Sequence, residues 1–543
     1  MSRRTCALVA ALAFALTAAA PAAAKPRQAT SGLTWTACGD AAGVQCTTVD
    51  VPKDYARPKA GTISVFAARS PATDTKHRLG SLFFNFGGPG APAAEYVEAY
   101  GTDLFTTLNT RYDIVGMDPR GTGQTSQPID CKVNQETQGI YSKPFTTPFN
   151  LDVGALLAKD RGYVKACLDN NPGILPYVTT ANVARDLDVM RAGVGDKKLN
   201  FLGFSYGTFL GATYASLFPN SYRKMVLDGP VDATSYINDP MKDLSEQTSA
   251  FERAFNRLMQ ACAADQTACE GFGGKDPIQA YDDLVEQADA TPIPAPNFAP
   301  DPRPVDGDDI NAATLGDLYN KRYWPEIVDA LKAASDGDGS KIRELADGFF
   351  GNNEDGTFDP ANDRYFTIGA VEQKYPRDLQ TYLRAGDRAW GEYDHFSLNN
   401  GYVELNYGLY PVRPRSAFDG PFHIPAGAAT PLVVATTYDP ATPYRGALRL
   451  VRDLGNARLL RMKGDGHTAY QNGSPDCIDT AIEGYLLDGP LPPAGTTCKQ
   501  DVPFEQPVAG YAQTQAQAKQ APAEPGATTP STDLRGPHPH GAR

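Results

Sequence analysis

Three side chains that lie far apart in the chain have the types that nucleophilic catalysis needs. The first is Ser205, which lies between glycines at residues 203–207, after an apolar run and before a segment that we interpret as a helix. A serine between two glycines at a sharp strand-to-helix turn is typical of a nucleophile elbow, which holds the hydroxyl clear of the backbone. Because the chain contains 51 glycines, the motif alone could arise by chance, and a base and an acid have to be found elsewhere.

A serine hydroxyl becomes a good nucleophile when a histidine takes its proton and an acid orients that histidine. Of the six histidines, His467 is the one that follows both the serine and a predicted strand ending in a glycine turn. Asp439 follows its own predicted strand and precedes His467, in the chain order that this architecture uses. Asp465 is the alternative acid, but its position two residues before the histidine favours a local loop contact. We therefore predict Ser205, His467 and Asp439 as nucleophile, base and orienting acid.

A second glycine-rich turn is the best candidate for an oxyanion site. A long apolar run, suited to a strand buried on both faces, ends at residues 87–90, which read Gly-Gly-Pro-Gly. Such a turn directs backbone N–H groups at a ligand, and we predict the N–H groups of Gly88 and Tyr206 as the oxyanion donors. Asp118 and Arg120, after the next predicted strand, are interpreted as a charged scaffold pair that pins a loop near the site.

The elements that must position these residues alternate between strands and helices up to about residue 230. This alternation predicts a mostly parallel α/β sheet, with an antiparallel start at residues 47–52 and 61–67. From residue 231 to 418 helical stretches replace the buried strand runs, and sheet-like sequence then resumes. We interpret residues 231–418 as a helical cap inserted between two parts of one core, 25–230 and 419–500, rather than as an independent helical domain. The predicted cap helices span residues 244–262, 278–288, 315–334, 340–350 and 377–390.

The two ends of the chain have compositions that do not belong to a folded core. Residues 1–24 contain two arginines, an apolar run and three final alanines, the pattern of a cleaved secretory signal peptide. The apolar run is too short for a transmembrane anchor, and the arginine pair leaves both the general and the twin-arginine export routes open. Residues 501–543 are rich in Gln, Ala and Pro and are predicted to form a disordered tail. We therefore expect a secreted protein.

Cysteine content and net charge agree with an extracellular location. Of nine cysteines, only Cys6 lies in the predicted signal peptide, and an even number in an exported chain predicts disulfides. Pairing of neighbours is the simplest arrangement because each bond closes a short loop: Cys38–Cys46, Cys131–Cys167, Cys262–Cys269 and Cys477–Cys498. The spacing does not support a zinc site, and we predict neither a metal nor a cofactor. A net charge of −13 argues against nucleic acid or an anionic membrane as a partner.

Five motifs occur together and in order: NFGGPG at 85–90, DPRGTG at 118–123, GFSYGT at 203–208, DPATPY at 439–444 and GDGHT at 464–468. With these motifs the chain resembles the secreted bacterial tripeptidyl aminopeptidases, which are α/β-hydrolases related to prolyl iminopeptidase. The resemblance covers the mature chain to about Cys498. It implies the α/β-hydrolase fold and a serine exopeptidase that releases short peptides from free N-termini. It also implies Ser205, Asp439 and His467 as the catalytic triad.

An aminopeptidase needs negative charge to hold the ammonium group of its peptide substrate, and related enzymes use carboxylates of the cap. Glu246 and Glu252, on the first predicted cap helix, are the candidates, with a solvated helix face as the alternative interpretation. A carboxylesterase or lipase on the same scaffold remains the alternative function, because a triad does not choose between esters and amides. A catalytically inactive binding protein is disfavoured by the complete set of Ser, Asp and His.

Overall fold

The computed structural model describes residues 32–397, 400–414, 416–502 and 504. The predicted signal peptide lies outside these residues, and so does the predicted tail except for residues 501, 502 and 504. Within the described ranges, no helix combines the length and the apolar character needed to cross a bilayer.

Ten strands in the described part of the chain form one sheet, in the order β1-β2-β3-β5-β4-β6-β7-β8-β9-β10. The first three pairs, from β1/β2 to β3/β5, are antiparallel, and the other six are parallel. This arrangement confirms the predicted mostly parallel sheet with an antiparallel start. The strands are β1 (Thr36–Ala37), β2 (Gln45–Pro52), β3 (Thr62–Ser70), β4 (Gly80–Asn85), β5 (Tyr112–Met117), β6 (Leu199–Phe204), β7 (Tyr222–Asp228), β8 (Leu432–Tyr438), β9 (Arg458–Asp465) and β10 (Thr497–Lys499).

Helices cover both faces of the sheet, which explains the continuous apolar runs of its central strands. Every residue of β4, β5 and β6 is buried. Neighbouring residues in a strand point to opposite faces, so Phe83 packs in one hydrophobic cluster and Leu82 in the other. The helices outside the long connection between β7 and β8 are α1 (Ala94–Tyr100), α2 (Thr106–Asn109), α3 (Val153–Asn170), α4 (Thr180–Gly193), α5 (Tyr206–Leu217), α15 (Tyr444–Leu454) and α16 (Thr480–Leu486).

Residues 231–418, which we call the helical region, connect β7 to β8. Its described helices are α6 (Ala233–Asn238), α7 (Pro240–Ala264), α8 (Pro277–Ala290), α9 (Gly307–Asp317), α10 (Trp324–Ser335), α11 (Ser340–Phe350), α12 (Ala361–Glu372), α13 (Leu379–Glu392) and α14 (Leu405–Leu409). The single helix predicted over 315–334 is wrong: α9 ends at Asp317, and Pro325 stands in the first turn of α10, where its missing N–H costs no helical hydrogen bond. The sequence reading did not predict α3 or α12.

The cysteines pair as neighbours in the described structure, which confirms that prediction. The four disulfides join Cys38 to Cys46, Cys131 to Cys167, Cys262 to Cys269, and Cys477 to Cys498. They are consistent with an extracellular location, because oxidising compartments favour such bonds.

Asp118 and Arg120 do not form the charged pair that the sequence predicted. Asp118 is buried and accepts hydrogen bonds from the N–H groups of Ala93 and Ala94, each at 2.9 Å, where α1 begins. Arg120 is also buried, and its guanidinium binds the carboxylate of Asp186 in α4 at 2.5 and 2.6 Å. Asp118 therefore fixes the start of α1, and Arg120 fixes α4. The order of the chain does not reveal Asp186 as the partner of Arg120.

Candidate active site

The residues predicted for catalysis follow the carboxyl ends of four parallel strands. The glycine-rich turn follows β4, Ser205 follows β6, Asp439 follows β8 and His467 lies two residues beyond β9. In an open parallel sheet these strand ends meet at one edge, where ligands of α/β proteins bind. The topology therefore collects at one edge residues that are up to 380 positions apart in the chain, from residue 87 to residue 467.

Ser205 lies in a backbone conformation that side chains other than glycine rarely adopt. Its φ is 54° and its ψ is −127°, at the junction of β6 and α5. Such a conformation stores of order 1–3 kcal/mol and persists where the surrounding structure enforces it. A Cβ on Gly203 would lie 2.5 Å from the carbonyl oxygen of Gly207, and one on Gly207 would collide with the carbonyl oxygen of Asn85. Both glycines of the elbow are therefore required by close backbone packing.

The glycine-rich turn packs directly on this elbow. Gly87 has a φ of 112°, and a Cβ there would lie 2.9 Å from both Ser205 Cβ and the backbone nitrogen of Tyr206. Tyr206 is the first residue of α5, so its N–H has no partner within the helix. Gly88, Ser205 and Tyr206 line one pocket. The residues that carry the two predicted oxyanion donors therefore border the same pocket as the predicted nucleophile.

Asp439 and His467 form the closest contact between the predicted residues. The Nδ1 atom of His467 lies 2.9 Å from Oδ2 and 3.0 Å from Oδ1 of Asp439. Asp439 is 1% exposed and also accepts hydrogen bonds from the N–H groups of Ala441 and Thr442 at 2.9 and 2.8 Å. The hydroxyl of Thr442 donates to Oδ2 at 2.9 Å and lies 3.3 Å from His467 Nδ1. Because these donors satisfy the buried carboxylate, it is held in one orientation toward the ring.

The other ring nitrogen of His467, Nε2, is buried and has no hydrogen-bond partner among the described residues. The ring lies over Gly229, where a Cβ would come within 2.9 Å of Cε1. With Nδ1 engaged by Asp439, Nε2 is the nitrogen left to exchange a proton. The hydrogen bond between Nε2 and the Ser205 hydroxyl is not formed in this structure.

The loop that carries His467 is held from two sides by groups that the sequence reading did not single out. Asp228, at the end of β7, accepts the N–H groups of Ala469 and Tyr470 at 2.9 and 2.8 Å, and its burial raises its pKa to about 7. From the helical region, the carbonyl of Tyr319 accepts the N–H of His467 at 2.5 Å. The Tyr319 ring stands edge-on to the imidazole, with 5.8 Å between centroids. No sequence pattern points to Tyr319, because its contact depends on the packing of distant segments.

Asp465, the alternative acid, is engaged elsewhere. Its carboxylate forms an ion pair with Arg257 of α7, with Nη2 3.0 Å from Oδ2. The guanidinium of Arg257 also stacks over Tyr438, 3.7 Å from the ring centroid. Asp465 therefore ties α7 to the end of β9, and Asp439 is the carboxylate that contacts the histidine.

The two glutamates predicted to bind the substrate amine lie in different surroundings. Glu246 lines the pocket of Ser205 and forms ion pairs with Lys242, at 2.8 Å, and with Arg449. Glu252 does not line that pocket. Its carboxylate accepts the N–H groups of His395 and Phe396 at 2.8 and 2.6 Å, and Oε2 lies 2.9 Å from His395 Nδ1.

We therefore correct the prediction for Glu252, which belongs to the packing of the helical region. Six residues apart on one α-helix, Glu246 and Glu252 point about 120° away from each other around its axis. Two further acids line the Ser205 pocket, Asp232 and Asp243. Asp243 escaped prediction because the first cap helix was placed from residue 244, whereas α7 begins at Pro240, and Asp232 caps α6, a short helix that was not predicted.

A buried chain of hydrogen bonds runs from the elbow to the helical region. The hydroxyl of Tyr206 contacts Oγ1 of Thr180, which donates to Oε2 of Glu372 at 2.8 Å. The N–H of Thr180 also donates to both carboxylate oxygens, each at 3.1 Å. Burial raises the pKa of Glu372 to about 7. This chain links the last residue of α12 to the side chain that follows the nucleophile.

Comparisons with known proteins agree with this fold. Residues 82–268 match a family model described as alpha/beta hydrolase fold, and residues 409–498 match one described as TAP-like protein. The chain is 31% identical over 479 residues to serine protease Hip1 of Mycobacterium tuberculosis, covering 86% of this chain and 90% of that one. It is 31% identical over 458 residues to carboxylesterase B of the same organism, with 84% and 86% covered.

A third relative is the tripeptidyl aminopeptidase of Streptomyces lividans, which is 29% identical over 489 residues, with 87% of each chain covered. The matches to these relatives run through both halves of the sheet and through the helical region between them. The chain therefore belongs to the TAP-like family of α/β-hydrolases and is a serine hydrolase.

Proposed function

We propose that this protein is an exported serine aminopeptidase that removes short peptides, chiefly tripeptides, from free N-termini. The observation that carries the proposal is the arrangement at the edge of the sheet. Asp439 lies 2.9 Å from Nδ1 of His467, whose Nε2 has no partner among the residues that the structure describes, and Ser205 lies on its elbow in a pocket with acidic walls.

In the proposed mechanism Asp439 keeps the proton of neutral His467 on Nδ1, so that Nε2 is free to accept the proton of the Ser205 hydroxyl. The serine oxygen then attacks the carbonyl carbon of the scissile peptide bond. The developing oxyanion is stabilised by the N–H groups of Tyr206 and Gly88, and the loss of one such donor would raise the barrier by about 3–4 kcal/mol. Protonated Nε2 gives its proton to the leaving amine, and water releases the acyl peptide from Ser205 by the same steps.

The charge of the pocket supports a substrate that carries an ammonium group. Its lining contains three acids, Asp232, Asp243 and Glu246, and one base, Arg449, which pairs with both Asp232 and Glu246. Lys242 also pairs with Glu246, but acids still outnumber bases in the lining, which favours a cationic N-terminus over an anionic or neutral group. The acids lie in the helical region, so an N-terminus bound there would set how many residues reach Ser205.

An esterase is the second candidate, and one relative is named carboxylesterase B. The triad attacks esters and amides by the same steps, so the distinction depends on the pocket. The acidic lining would not strengthen the binding of an ester substrate, whereas it would attract the ammonium group of a free peptide N-terminus.

A substrate panel separates the two candidates. It contains free and N-acetylated mono-, di- and tripeptide anilides together with a short-chain nitrophenyl ester. We expect the free tripeptide to give the highest kcat/KM and acetylation to lower it by at least about tenfold, through loss of one ionic contact. Ser205→Ala should lower turnover by at least about 10⁴-fold without changing thermal unfolding. Equal turnover of free and acetylated peptides would refute the aminopeptidase.

Export is tested separately, on the secreted protein. Expression in a bacterial host and mass spectrometry of the culture medium should find a chain that begins at Lys25, after the alanines at 22–24. Retention of the intact N-terminus inside the cells would contradict this part of the proposal.

A further inference from the structure

A second cavity lies where α3 meets the helical region, and it has no lining residue in common with the Ser205 pocket. Its walls are largely apolar and aromatic, and they include Tyr141, Leu156, Phe349 and Phe396, each of which is at most 5% exposed. One cationic side chain of α3, Lys159, also lines it. Apolar walls with a single charged group are the usual composition of a site for a small organic ligand.

The ammonium group of Lys159 is poorly satisfied by the protein. Nζ donates one hydrogen bond, to the carbonyl of Ile140 at 3.3 Å, whereas an ammonium group has three donors. Within the described residues Lys159 forms no ion pair. Lys143, another half-buried lysine, is paired with carboxylates: its Nζ lies 3.0 Å from Asp306 and 2.8 Å from Asp309.

The nearest charge to Lys159 in the chain does not neutralise it by contact. Asp160 is 2% exposed, and one of its carboxylate oxygens has no hydrogen-bond partner among the described residues. Burial raises the pKa of Asp160 to about 7 and lowers the pKa of Lys159. Desolvation therefore acts on both groups, and a negative charge inside the cavity would relieve it for the lysine.

The ionisable groups of the cavity favour a ligand that carries a single negative charge. His395 lines it, but Glu252 and Asp282 hold its ring nitrogens at 2.9 and 3.4 Å. Asn311 uses its side-chain oxygen to accept the hydroxyl of Tyr281 at 2.8 Å. Lys159 is thus the one cation of the lining that has no carboxylate partner in the described structure.

We propose that this cavity binds a small monocarboxylate with an aromatic or alkyl body, whose carboxylate pairs with Lys159 while its body packs among Tyr141, Phe349 and Phe396. A carboxylate supplies the acceptors that the ammonium group lacks, and the aromatic walls bury the body. A neutral ligand of the same shape would leave the lysine unpaired. The site is separate from the hydrolytic pocket, and the proposal does not depend on which acyl group Ser205 receives.

The test uses the full mature chain with Ser205 blocked by a phosphonate, and it measures binding by calorimetry. The probes are 4-phenylbutanoate and its neutral amide, which differ in charge and share one shape. We expect the carboxylate to bind with a dissociation constant of about 0.1–1 mM and the amide at least about tenfold more weakly. Equal binding of the two probes, or no saturable binding of the carboxylate, would overturn the proposal without any variant.

Two variants locate the bound carboxylate. Lys159→Met keeps the length of the side chain and removes its charge, so affinity for 4-phenylbutanoate should fall at least about tenfold while that for the amide stays the same. Lys159→Arg should keep the preference for the carboxylate. Peptide turnover by the unblocked enzyme should be unchanged in both. Undiminished carboxylate binding by a folded Lys159→Met protein, or binding that disappears when the phosphonate is attached, would place the ligand elsewhere and refute the site.

Discussion

Two histidine–carboxylate pairs in this protein have nearly the same geometry and different surroundings. At the edge of the sheet, Nδ1 of His467 lies 2.9 Å from Asp439, and in the helical region Nδ1 of His395 lies 2.9 Å from Glu252. Asp439 also accepts three backbone N–H groups, and Glu252 accepts two. The pairs differ at the second ring nitrogen and in what stands near it.

For His395 the second nitrogen faces Asp282 at 3.4 Å, and the ring packs against Phe255 with 4.2 Å between centroids. For His467 the second nitrogen is buried without a partner in the described structure, at the edge that carries Ser205. His395, with both ring nitrogens engaged, holds α7 against residues 395–396. His467 has one ring nitrogen available and can move a proton. The surroundings of a histidine–carboxylate pair, rather than the distance between its two side chains, therefore decide its role.

Removal of each histidine should give the largest contrast. We expect His467→Gln to lower kcat by at least about 10⁴-fold, because it removes the group that we propose takes the serine proton. His395→Gln should keep kcat within about threefold and lower the free energy of unfolding by about 1–3 kcal/mol, since it leaves the buried carboxylate of Glu252 short of a donor. Steady-state kinetics and urea unfolding measure both effects. A comparable loss of kcat in the two variants would show that the pairs do not differ as described.

The acids of the two pairs should differ in the same way, with Asp439 needed for activity and Glu252 for stability. Asp439→Asn offers an amide that no longer favours the proton on Nδ1, and we expect kcat to fall by about 10⁴-fold with unfolding little changed. Glu252→Gln should keep kcat within about threefold while the free energy of unfolding falls by about 1–3 kcal/mol. If Asp439→Asn lost stability and kept its activity, Asp439 would be a structural residue like Glu252.

Thr442 sharpens the comparison because the Glu252 pair has no hydroxyl that corresponds to it among the hydrogen bonds described above. Its hydroxyl donates to Asp439 and lies 3.3 Å from His467 Nδ1. Thr442→Val should lower kcat/KM by about tenfold, the equivalent of one hydrogen bond to a charged group. Thr442→Ser, which keeps the hydroxyl, is the matched control and should stay within about threefold of the wild type. Equal losses in the valine and serine variants would contradict an effect that is specific to the hydroxyl.

The smallest expected effect is a pH dependence of the stability that the pair of His395 and Glu252 contributes to the fold. Burial lowers the pKa of His395, but the hydrogen bond and charge of Glu252 outweigh it, so the pKa lies above 6.5. Protonation of His395 therefore stabilises the fold at acidic pH, and this contribution is lost as the pH rises through the folded-state pKa. The difference in unfolding free energy between wild type and His395→Gln should be larger at about pH 5.5 than at about pH 8.5. A difference that grows with pH would reverse the sign and contradict the raised pKa.

The fold and the parts of the site that belong to the sheet could be predicted because local signals carry them. The glycines around Ser205 and at residues 87–90 are needed where backbones approach closely, and that need is visible in the chain itself. Chain order singled out Asp439 and His467, since each follows a strand whose carboxyl end lies at the same edge. Pairing of neighbouring cysteines was predictable for a similar reason, because short loops leave the two ends close together.

The helical region was predicted less well. The start and the turn of α7 place Asp243 in the pocket lining and Glu252 outside it, whereas Asp232 reaches the lining from the start of α6. Tyr319 and the chain from Tyr206 to Glu372 join segments that are more than a hundred residues apart. Their contacts have no local signal.

By itself, the sequence determined the sheet, the elbow and the order of the proposed catalytic groups, because backbone strain, glycine packing and strand periodicity are local properties. The tertiary structure alone decided the surroundings of the two histidines, which acids line the pocket and which lysine has no carboxylate partner among the described residues. These are properties of packing between distant helices, and burial and pairing are defined only when all of the neighbours are in place.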